Sequence, residues 1–178
     1  MFPDTLFAKH LQEKLEQITE VLQQQQKSCV IIPSGMPKPV YWDDNNYPFK
    51  TNFHFSLFVP VGPLPNSYLI IEADKKPTLI YYQPADYWHV VPDAPDPVWA
   101  SDFNVVIVTN TTDWLKYLPN DLINTVWIGE PESSIADKIQ AENINPQNII
   151  NELHYYRARK TDYEIDRLAA ANLIAAKG

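Results

Sequence analysis

Proline constrains the architecture of this chain more than any other residue. Sixteen of its 178 residues are proline, and twelve of these lie between Pro33 and Pro97, where the usual share is about 5%. Proline ends helices because it lacks a backbone N–H and its ring clashes with the preceding turn. Glycine is scarce, with four residues, so the stretch is not a flexible linker. It predicts extended segments joined by stiff turns.

Composition and charge limit the classes of protein that remain. The length suits one compact domain, or one domain with a fragment of another, and a 45% apolar content excludes disorder for most of the chain. Residues 1–156 carry a net charge of −10, whereas residues 157–178 carry +2 and contain all three arginines. An acidic body repels phosphate backbones, so we expect no nucleic-acid partner.

Membrane and export signals are missing from the sequence. No run approaches the roughly 18 apolar residues of a spanning helix, and the first ten residues lack the basic and apolar regions of a signal peptide. Cys29 is the single cysteine, so no internal disulfide can form. These features predict a protein of the reducing cytoplasm without a membrane partner.

Apolar periodicity predicts alternating helices and strands. Apolar residues spaced by three and four predict an amphipathic helix over 4–26, and apolar runs predict strands. The predicted strands are 28–33, 67–73, 77–83, 104–109 and 125–129, with a hairpin between the second and third and a buried position for the fourth. Further helices are predicted over 111–118, capped by Thr111 or Thr112, over 133–142 and over 146–157. This alternation predicts a mixed α/β sheet covered by helices.

A last helix follows the complete α/β pattern. Thr161 and Glu164 have the spacing of a capping box, and apolar residues continue from Ile165 to Ile174. A helix with a broad apolar face needs a surface to pack against. That surface belongs either to this domain or to sequence beyond these residues, and we favour the second alternative.

Motifs for chemistry are largely absent. Four dispersed glycines cannot form a phosphate-binding loop, and Cys29 lies in an apolar strand, where a buried inert thiol is expected. His89 with Asp86 and Asp93 is the best metal candidate, although a hydrogen-bonded loop histidine is the favoured reading. Residues 43–46 lack the spacing of a calcium loop and favour a turn. The residues alone predict an acidic α/β domain without a self-sufficient active site.

Three segments resemble a known family. They are Trp42-Asp43-Asp44-Asn45-Asn46-Tyr47-Pro48-Phe49-Lys50-Thr51-Asn52 followed by Leu57-Phe58-Val59-Pro60, the segment Ile80–Asp93, and the segment Leu153–Glu164. Together they resemble the N-terminal part of bacterial prolidases, the Xaa-Pro dipeptidases that include the organophosphorus acid anhydrolases. The third segment resembles a junction shared by the creatinase, aminopeptidase P and prolidase superfamily. The resemblance covers essentially the whole chain.

The resemblance implies a two-domain enzyme of which this chain holds one domain. Residues 1–157 would form an α/β domain with a mixed sheet of about six strands. Residues 158–178 would form a linker and the first helix of a pita-bread catalytic domain that binds two metal ions, usually manganese. The segment would then be catalytically incomplete. It would serve as the dimerising part of an enzyme that hydrolyses dipeptides with C-terminal proline.

The resemblance also implies two site residues. In a prolidase-like homodimer, Asp44 and Trp88 would reach into the partner's active site. Asp44 would pair with the substrate ammonium, and Trp88 would form an apolar wall or lie against the cation. The alternative is that Asp44 caps a turn and Trp88 packs within the fold.

Other functions remain open from the sequence. The chain is alternatively a stand-alone, non-catalytic binding or dimerisation module. It is also compatible with the N-terminal domain of an aminopeptidase P or a creatinase-like enzyme. Nucleotide binding is disfavoured because the glycine-rich loop is missing.

Overall fold

A computed structural model describes residues 4–85, 87, 91–135 and 137–177. Its helices are α1 (Asp4–Gln24), α2 (Phe53–Phe58), α3 (Pro97–Ala100), α4 (Gln147–Ala158) and α5 (Asp162–Ala175). Its strands are β1 (Cys29–Pro33), β2 (Tyr68–Glu72), β3 (Thr78–Tyr82), β4 (Asn104–Val108) and β5 (Thr125–Trp127). Short 3₁₀ helices lie at Asp113–Tyr117 and Ala141–Asn143.

The strands form one mixed sheet in the order β4-β3-β2-β1-β5. Strand β2 is antiparallel to both of its neighbours, whereas the β1–β5 and β3–β4 pairs are parallel. The carboxyl ends of β1, β3, β4 and β5 therefore lie together, and we call this side the carboxyl end of the sheet. Loops 34–52 and 83–96, which follow β1 and β3, both leave from it.

This architecture confirms the predicted α/β class with a mixed sheet flanked by helices. The sheet has five strands in the described residues, where the family resemblance implies about six. Beyond β5, Ile144 forms a single parallel bridge with Trp127. No helix in the described part of the chain combines the length and hydropathy needed to cross a bilayer.

Two separate cores cover the two faces of the sheet, because successive strand residues point to opposite faces. The first core packs the sheet against α1, α2 and α4, and its strand residues include Val30, Ile32, Leu69 and Ile71. The second core is built around the rings of Trp114 and Trp127, and its described residues include no long helix. Helices thus bury one face, and short turns and a 3₁₀ helix bury the other.

Most predicted elements are confirmed to within a few residues. The structure contains α1, β1, the β2–β3 hairpin, β5 and α4 where the sequence predicts them. The capping box at the start of α5 is also confirmed, since Thr161 accepts from the Glu164 N–H and Glu164 accepts from the Thr161 N–H. The short helices α2 and α3 were not predicted, although Asn52 and Asp96 cap them with their side chains.

The predicted helix over 133–142 is wrong. The described residues of this segment form turns, and the short 3₁₀ helix begins only at Ala141. Ile135 and Ile139 are both buried in the second core, so turns satisfy the apolar spacing that suggested a helix. The Ser134 hydroxyl donates to the buried carboxylate of Glu132.

Two other predictions need correction. Strand β4 was expected to be buried, but it lies at the edge of the sheet, with Asn104 and Ile107 exposed and Val108 buried. The predicted helix over 111–118 is a 3₁₀ helix, and the side chain of its N-cap residue, Thr112, makes no capping hydrogen bond. The strand was predicted correctly but placed in the wrong part of the sheet. The helix was predicted at the correct position but with the wrong helix type.

Candidate functional site

The candidate site lies at the carboxyl end of the sheet, where the chain segments that follow β1 and β3 begin. Ligands of open α/β sheets bind beyond the carboxyl ends of parallel strands. Loop 34–52 carries Asp44, and loop 83–96 carries Trp88. Trp88 lies outside the described residues, as do Asp86 and His89 of the metal candidate. The topology brings the two loops to one side of the molecule.

Loop 34–52 folds back on itself as a short hairpin. Val40 N–H donates to the Asn45 carbonyl at 2.8 Å, and Tyr47 N–H donates to the Lys38 carbonyl at 2.9 Å. The Lys38 ammonium lies 2.7 Å from the Glu130 carboxylate, which follows β5. The hairpin therefore projects residues 41–44 as an exposed tip.

The adjacent carboxylates at the tip have different roles. Asp43 Oδ1 accepts hydrogen bonds from the Asn45 backbone N–H at 3.0 Å and from Asn45 Nδ2 at 2.9 Å. The backbone hydrogen bond from Asn45, with help from side-chain hydrogen bonds, holds the pKa of Asp43 below its ordinary value. Asp44 is exposed, accepts a long hydrogen bond of 3.4 Å from Asn45 Nδ2 and contacts the Asp43 side chain. The turn is thus capped by Asp43, and Asp44 retains acceptor capacity.

Aromatic side chains stand beside these carboxylates. Tyr41 and Trp42 are 82% and 89% exposed, and their rings meet edge to face with centroids 5.5 Å apart. Trp42 has a φ of 60°, a left-handed conformation that is uncommon for a bulky residue. Sequence reasoning assigned no role to this pair. The sequence feature that could have identified the pair is the position of two aromatic residues directly before a turn-forming Asp-Asp-Asn-Asn segment.

Partly buried hydrogen bonds hold the base of loop 34–52. Asn52 Nδ2 donates to the carbonyls of Pro33 and Ile128, each at 2.9 Å, and its Oδ1 accepts from the His54 N–H at 3.0 Å. At Gly129, an added Cβ would lie 2.5 Å from Pro33 Cγ. Glycine is therefore needed where the turn after β5 passes over β1.

A second set of buried bonds crosses the carboxyl end of the sheet. Ser34 N–H donates to the Ser67 carbonyl at 2.8 Å, and Ser34 Oγ accepts from the Ser67 N–H at 3.0 Å. Ser67 Oγ accepts from the Tyr82 N–H, also at 3.0 Å. These bonds join the start of loop 34–52 to the start of loop 83–96, so both loops leave from one rigid base.

A cleft of about 460 Å³ lies between the base of loop 34–52 and the turn after β5. Its lining includes Lys38, Tyr47, Phe49, Asn52 and Glu130. The larger groove, about 680 Å³, lies far from it, between α1 and the β2–β3 turn. We place the candidate site at the smaller cleft because it lies at the carboxyl end of the sheet, at the base of the loop that carries Asp44.

Neither a reactive cysteine nor a metal-binding cluster is found among the residues that the structure describes. Cys29 is buried, and burial raises the pKa of its thiol to about 12, which suits an inert core residue. No group of three or more His, Cys, Asp or Glu side chains in the described residues is placed to hold a metal ion. Of the predicted loop cluster, Asp93 is described, and its backbone carbonyl accepts from the Tyr81 hydroxyl at 2.8 Å.

Comparison with known proteins shows the family to which the chain belongs. A family model described as "Xaa-Pro dipeptidase, N-terminal domain" matches residues 5–155. The chain belongs to the Xaa-Pro dipeptidase family. The Xaa-Pro dipeptidase of Shewanella denitrificans is 38% identical over 172 residues, which cover 97% of this chain and 39% of that protein. The corresponding protein of Pseudoalteromonas atlantica is 39% identical over 173 residues, with the same coverage.

The chain spans about two fifths of the length of the Xaa-Pro dipeptidases that it matches. Among solved structures, a Bacillus anthracis protein assigned as an aminopeptidase P aligns with a TM-score of 0.54 and 13% identity. That alignment covers 86% of this chain and 42% of the other. At this identity the likeness concerns the fold alone. The chain is the N-terminal domain of a protein in this peptidase family.

Proposed function

We propose that this domain is the non-catalytic lid and dimerising part of a metal-dependent enzyme that hydrolyses dipeptides with C-terminal proline. In this proposal Asp44 and Trp88 enter the active site of the partner subunit in a homodimer, and the protein works in the cytoplasm. The observation that carries the proposal is the tip of loop 34–52. There Asp43 accepts both hydrogen bonds from Asn45 within the turn, while the equally exposed Asp44 accepts one long hydrogen bond of 3.4 Å from Asn45.

The catalytic metals belong to another part of the protein in this proposal. The described residues do not fit a two-metal centre, because no cluster of three potential ligands exists among them. Manganese would be held by the catalytic domain, and this domain alone would be inactive. Residues 158–178 would form the linker and the first helix of that domain. The exposed apolar residues Leu168, Leu173 and Ile174 of α5 support this assignment.

The proposed role of Asp44 is recognition of the substrate's free ammonium group. A dipeptide presents this cation close to the bond that is cleaved. A carboxylate in a partly water-excluded cleft forms a charge-assisted hydrogen bond with it. A substrate with a blocked amino group loses this bond, which favours dipeptides over blocked or longer peptides.

The first test uses the full-length enzyme and the variant Asp44→Asn. We expect kcat/KM for free dipeptides to fall by about tenfold or more, the scale of a lost charge-assisted bond, with little change for N-blocked substrates. Asp43→Asn is the matched control, because it removes a charge but keeps an acceptor for the turn. If the Asp44→Asn enzyme discriminates between free and blocked substrates as well as the unchanged enzyme does, the proposed ammonium contact is contradicted.

A heterodimer tests whether Asp44 acts across the interface. One subunit carries Asp44→Asn with intact metal ligands, and the other carries Asp44 with its metal ligands replaced. If Asp44 acts in trans, the metal-competent site receives Asp44 from its partner and retains activity. A metal-competent site with only the kcat/KM of the Asp44→Asn enzyme would show that Asp44 acts within its own subunit or has another role.

A further inference from the structure

Helix α5 is attached to the domain by its first turn. Thr161, its N-cap residue, is buried, whereas none of its fourteen residues is buried. Ile165 and Leu168 are 55% and 53% exposed. The direction in which α5 leaves the domain is therefore set by whatever holds this first turn.

His10 of α1 contacts that turn from within the domain. It is 2% exposed, and its Nδ1 lies 2.8 Å from Thr161 Oγ1. Its Nε2 lies 2.7 Å from the backbone carbonyl of Leu57 in α2. A carbonyl can only accept, so Nε2 carries the proton, and the neutral ring then accepts at Nδ1 from the Thr161 hydroxyl.

This tautomer completes a chain of hydrogen bonds. The Thr161 hydroxyl donates to His10 at 2.8 Å, the shorter of its two contacts, since the Glu164 carboxylate lies 3.3 Å away. Thr161 Oγ1 also accepts from the Glu164 N–H at 3.3 Å. Burial, as the main cause, lowers the pKa of His10, which favours the neutral ring that this arrangement needs. Every polar atom of the imidazole thus has a partner in an element other than α1.

Neighbouring contacts also hold the first turn of α5 against α1. The Lys14 ammonium is buried and lies 3.9 Å from the Glu164 carboxylate. The Tyr163 ring meets the Phe7 ring edge to face at 5.4 Å and lies 5.0 Å from the His10 ring. The start of α5 is therefore packed against α1 by polar and aromatic groups together.

The second hydrogen-bond partner of His10, Leu57, links the start of α5 to the segment that follows loop 34–52. Leu57 belongs to α2, which begins where loop 34–52 ends and is capped by Asn52. We propose that His10 is the positioning residue that sets the direction of α5 relative to loop 34–52. This role goes beyond the function proposed above and does not depend on it. Because it concerns geometry within this chain, it can be tested on the chain alone.

The test measures a distance between two spin labels. One label is placed at Lys50→Cys in loop 34–52 and the other at Ala171→Cys in α5; both positions are exposed. The native Cys29 is buried, with a thiol pKa of about 12, and does not compete for the label. A second pair, Lys50→Cys with Lys76→Cys, reports on the domain itself.

Variants at His10 should change the first distance and not the second. With His10→Ala we expect the Lys50–Ala171 distribution to broaden at least about twofold, because local tethers limit the orientations that a helix samples. His10→Asn places an amide near the position of Nδ1 and should restore much of the narrow distribution. Lys9→Ala removes only the exposed Lys9–Asp162 ion pair at 3.7 Å and is the control that should change nothing.

Thr161 provides an independent set of variants if His10→Ala does not fold. Thr161→Val removes the hydroxyl and should broaden the distribution, whereas Thr161→Ser keeps the hydroxyl and should not. Circular dichroism establishes that α5 remains helical, since Thr161 also caps it. The proposal is overturned if both His10→Ala and Thr161→Val leave the Lys50–Ala171 distribution narrow. It is equally overturned if the Lys50–Lys76 distribution broadens alongside it.

Discussion

At its base, loop 34–52 is held by hydrogen bonds to residues far away in the sequence, whereas its tip is held by bonds between near neighbours. Asn52 bonds to Ile128, 76 positions away, and Ser34 bonds to Ser67, 33 positions away. At the tip, Asp43 bonds to Asn45. The base positions the loop, and the tip determines which groups are presented to a partner. Stability and recognition are thus separated along one loop.

Among substitutions that test this difference between base and tip, Asn52→Ala is expected to have the largest effect on stability. The substitution leaves the carbonyls of Pro33 and Ile128 without their donor and removes the N-cap of α2. We expect the free energy of unfolding to fall by about 3 kcal/mol, measured by urea denaturation. Asn52→Ser retains a cap acceptor and should recover part of the loss. A loss below that of an ordinary surface substitution would mean that the base is not held in this way.

Gly129→Ala should have the next largest effect. The new Cβ would lie 2.5 Å from Pro33 Cγ and 3.0 Å from Asn52 Nδ2, so strands β1 and β5 must separate. We expect a loss of about 2 kcal/mol, as for other overpacked sites, in the same denaturation assay. Gly62→Ala is the matched control, because nothing lies within 4 Å of its added Cβ. Equal losses in the two variants would contradict the close approach at Gly129.

Glu132, which bonds to Tyr68 in the second core beside this base, gives a test through the pH dependence of stability. Its carboxylate is buried and accepts from the Tyr68 hydroxyl at 3.0 Å, and burial raises its pKa above the ordinary 4.5. As pH rises from about 4.5 through the raised value, the unfolded state loses the proton first, so stability falls. We expect Glu132→Gln to remove this decline. The measurement is the difference in unfolding free energy between the two proteins across pH, in which the histidine contributions cancel.

The smallest effect on stability is expected at the tip. Asp43→Ala removes two hydrogen bonds in an exposed turn, so the free energy of unfolding should change by no more than about 0.5 kcal/mol. Hydrogen exchange at the Asn45 amide should nevertheless accelerate, because its acceptor is lost. Asp43→Asn keeps an acceptor oxygen and should preserve the protection. A loss of stability as large as that of Asn52→Ala would erase the distinction between tip and base.

Sequence patterns predicted the elements better than their environments. The period of apolar residues in α1 and α4, and the capping box of α5, depend on local geometry that the sequence shows directly. The helix predicted over 133–142 failed because Ile135 and Ile139 are buried equally well by turns. Strand β4 was expected to be buried because its composition does not reveal that it ends the sheet.

The candidate site was also predictable only in part from the sequence. The resemblance pointed to Asp44, and the turn-forming character of residues 43–46 was readable from their composition. Which of the two adjacent aspartates caps the turn was not readable, because the choice depends on the backbone angles of the hairpin. The hydrogen bonds of His10 to Leu57 and Thr161 join three segments that are far apart in the sequence. No short sequence pattern predicts them.

By itself, the sequence determined the family of this protein, its α/β class and the positions of most helices and strands, because these follow from motifs and periodicities within short windows. Tertiary structure decided which strand ends the sheet, which aspartate is held in the turn and how α5 is attached. Those outcomes depend on hydrogen bonds and packing between residues far apart along the chain. Their partners are known only once the fold has brought them together.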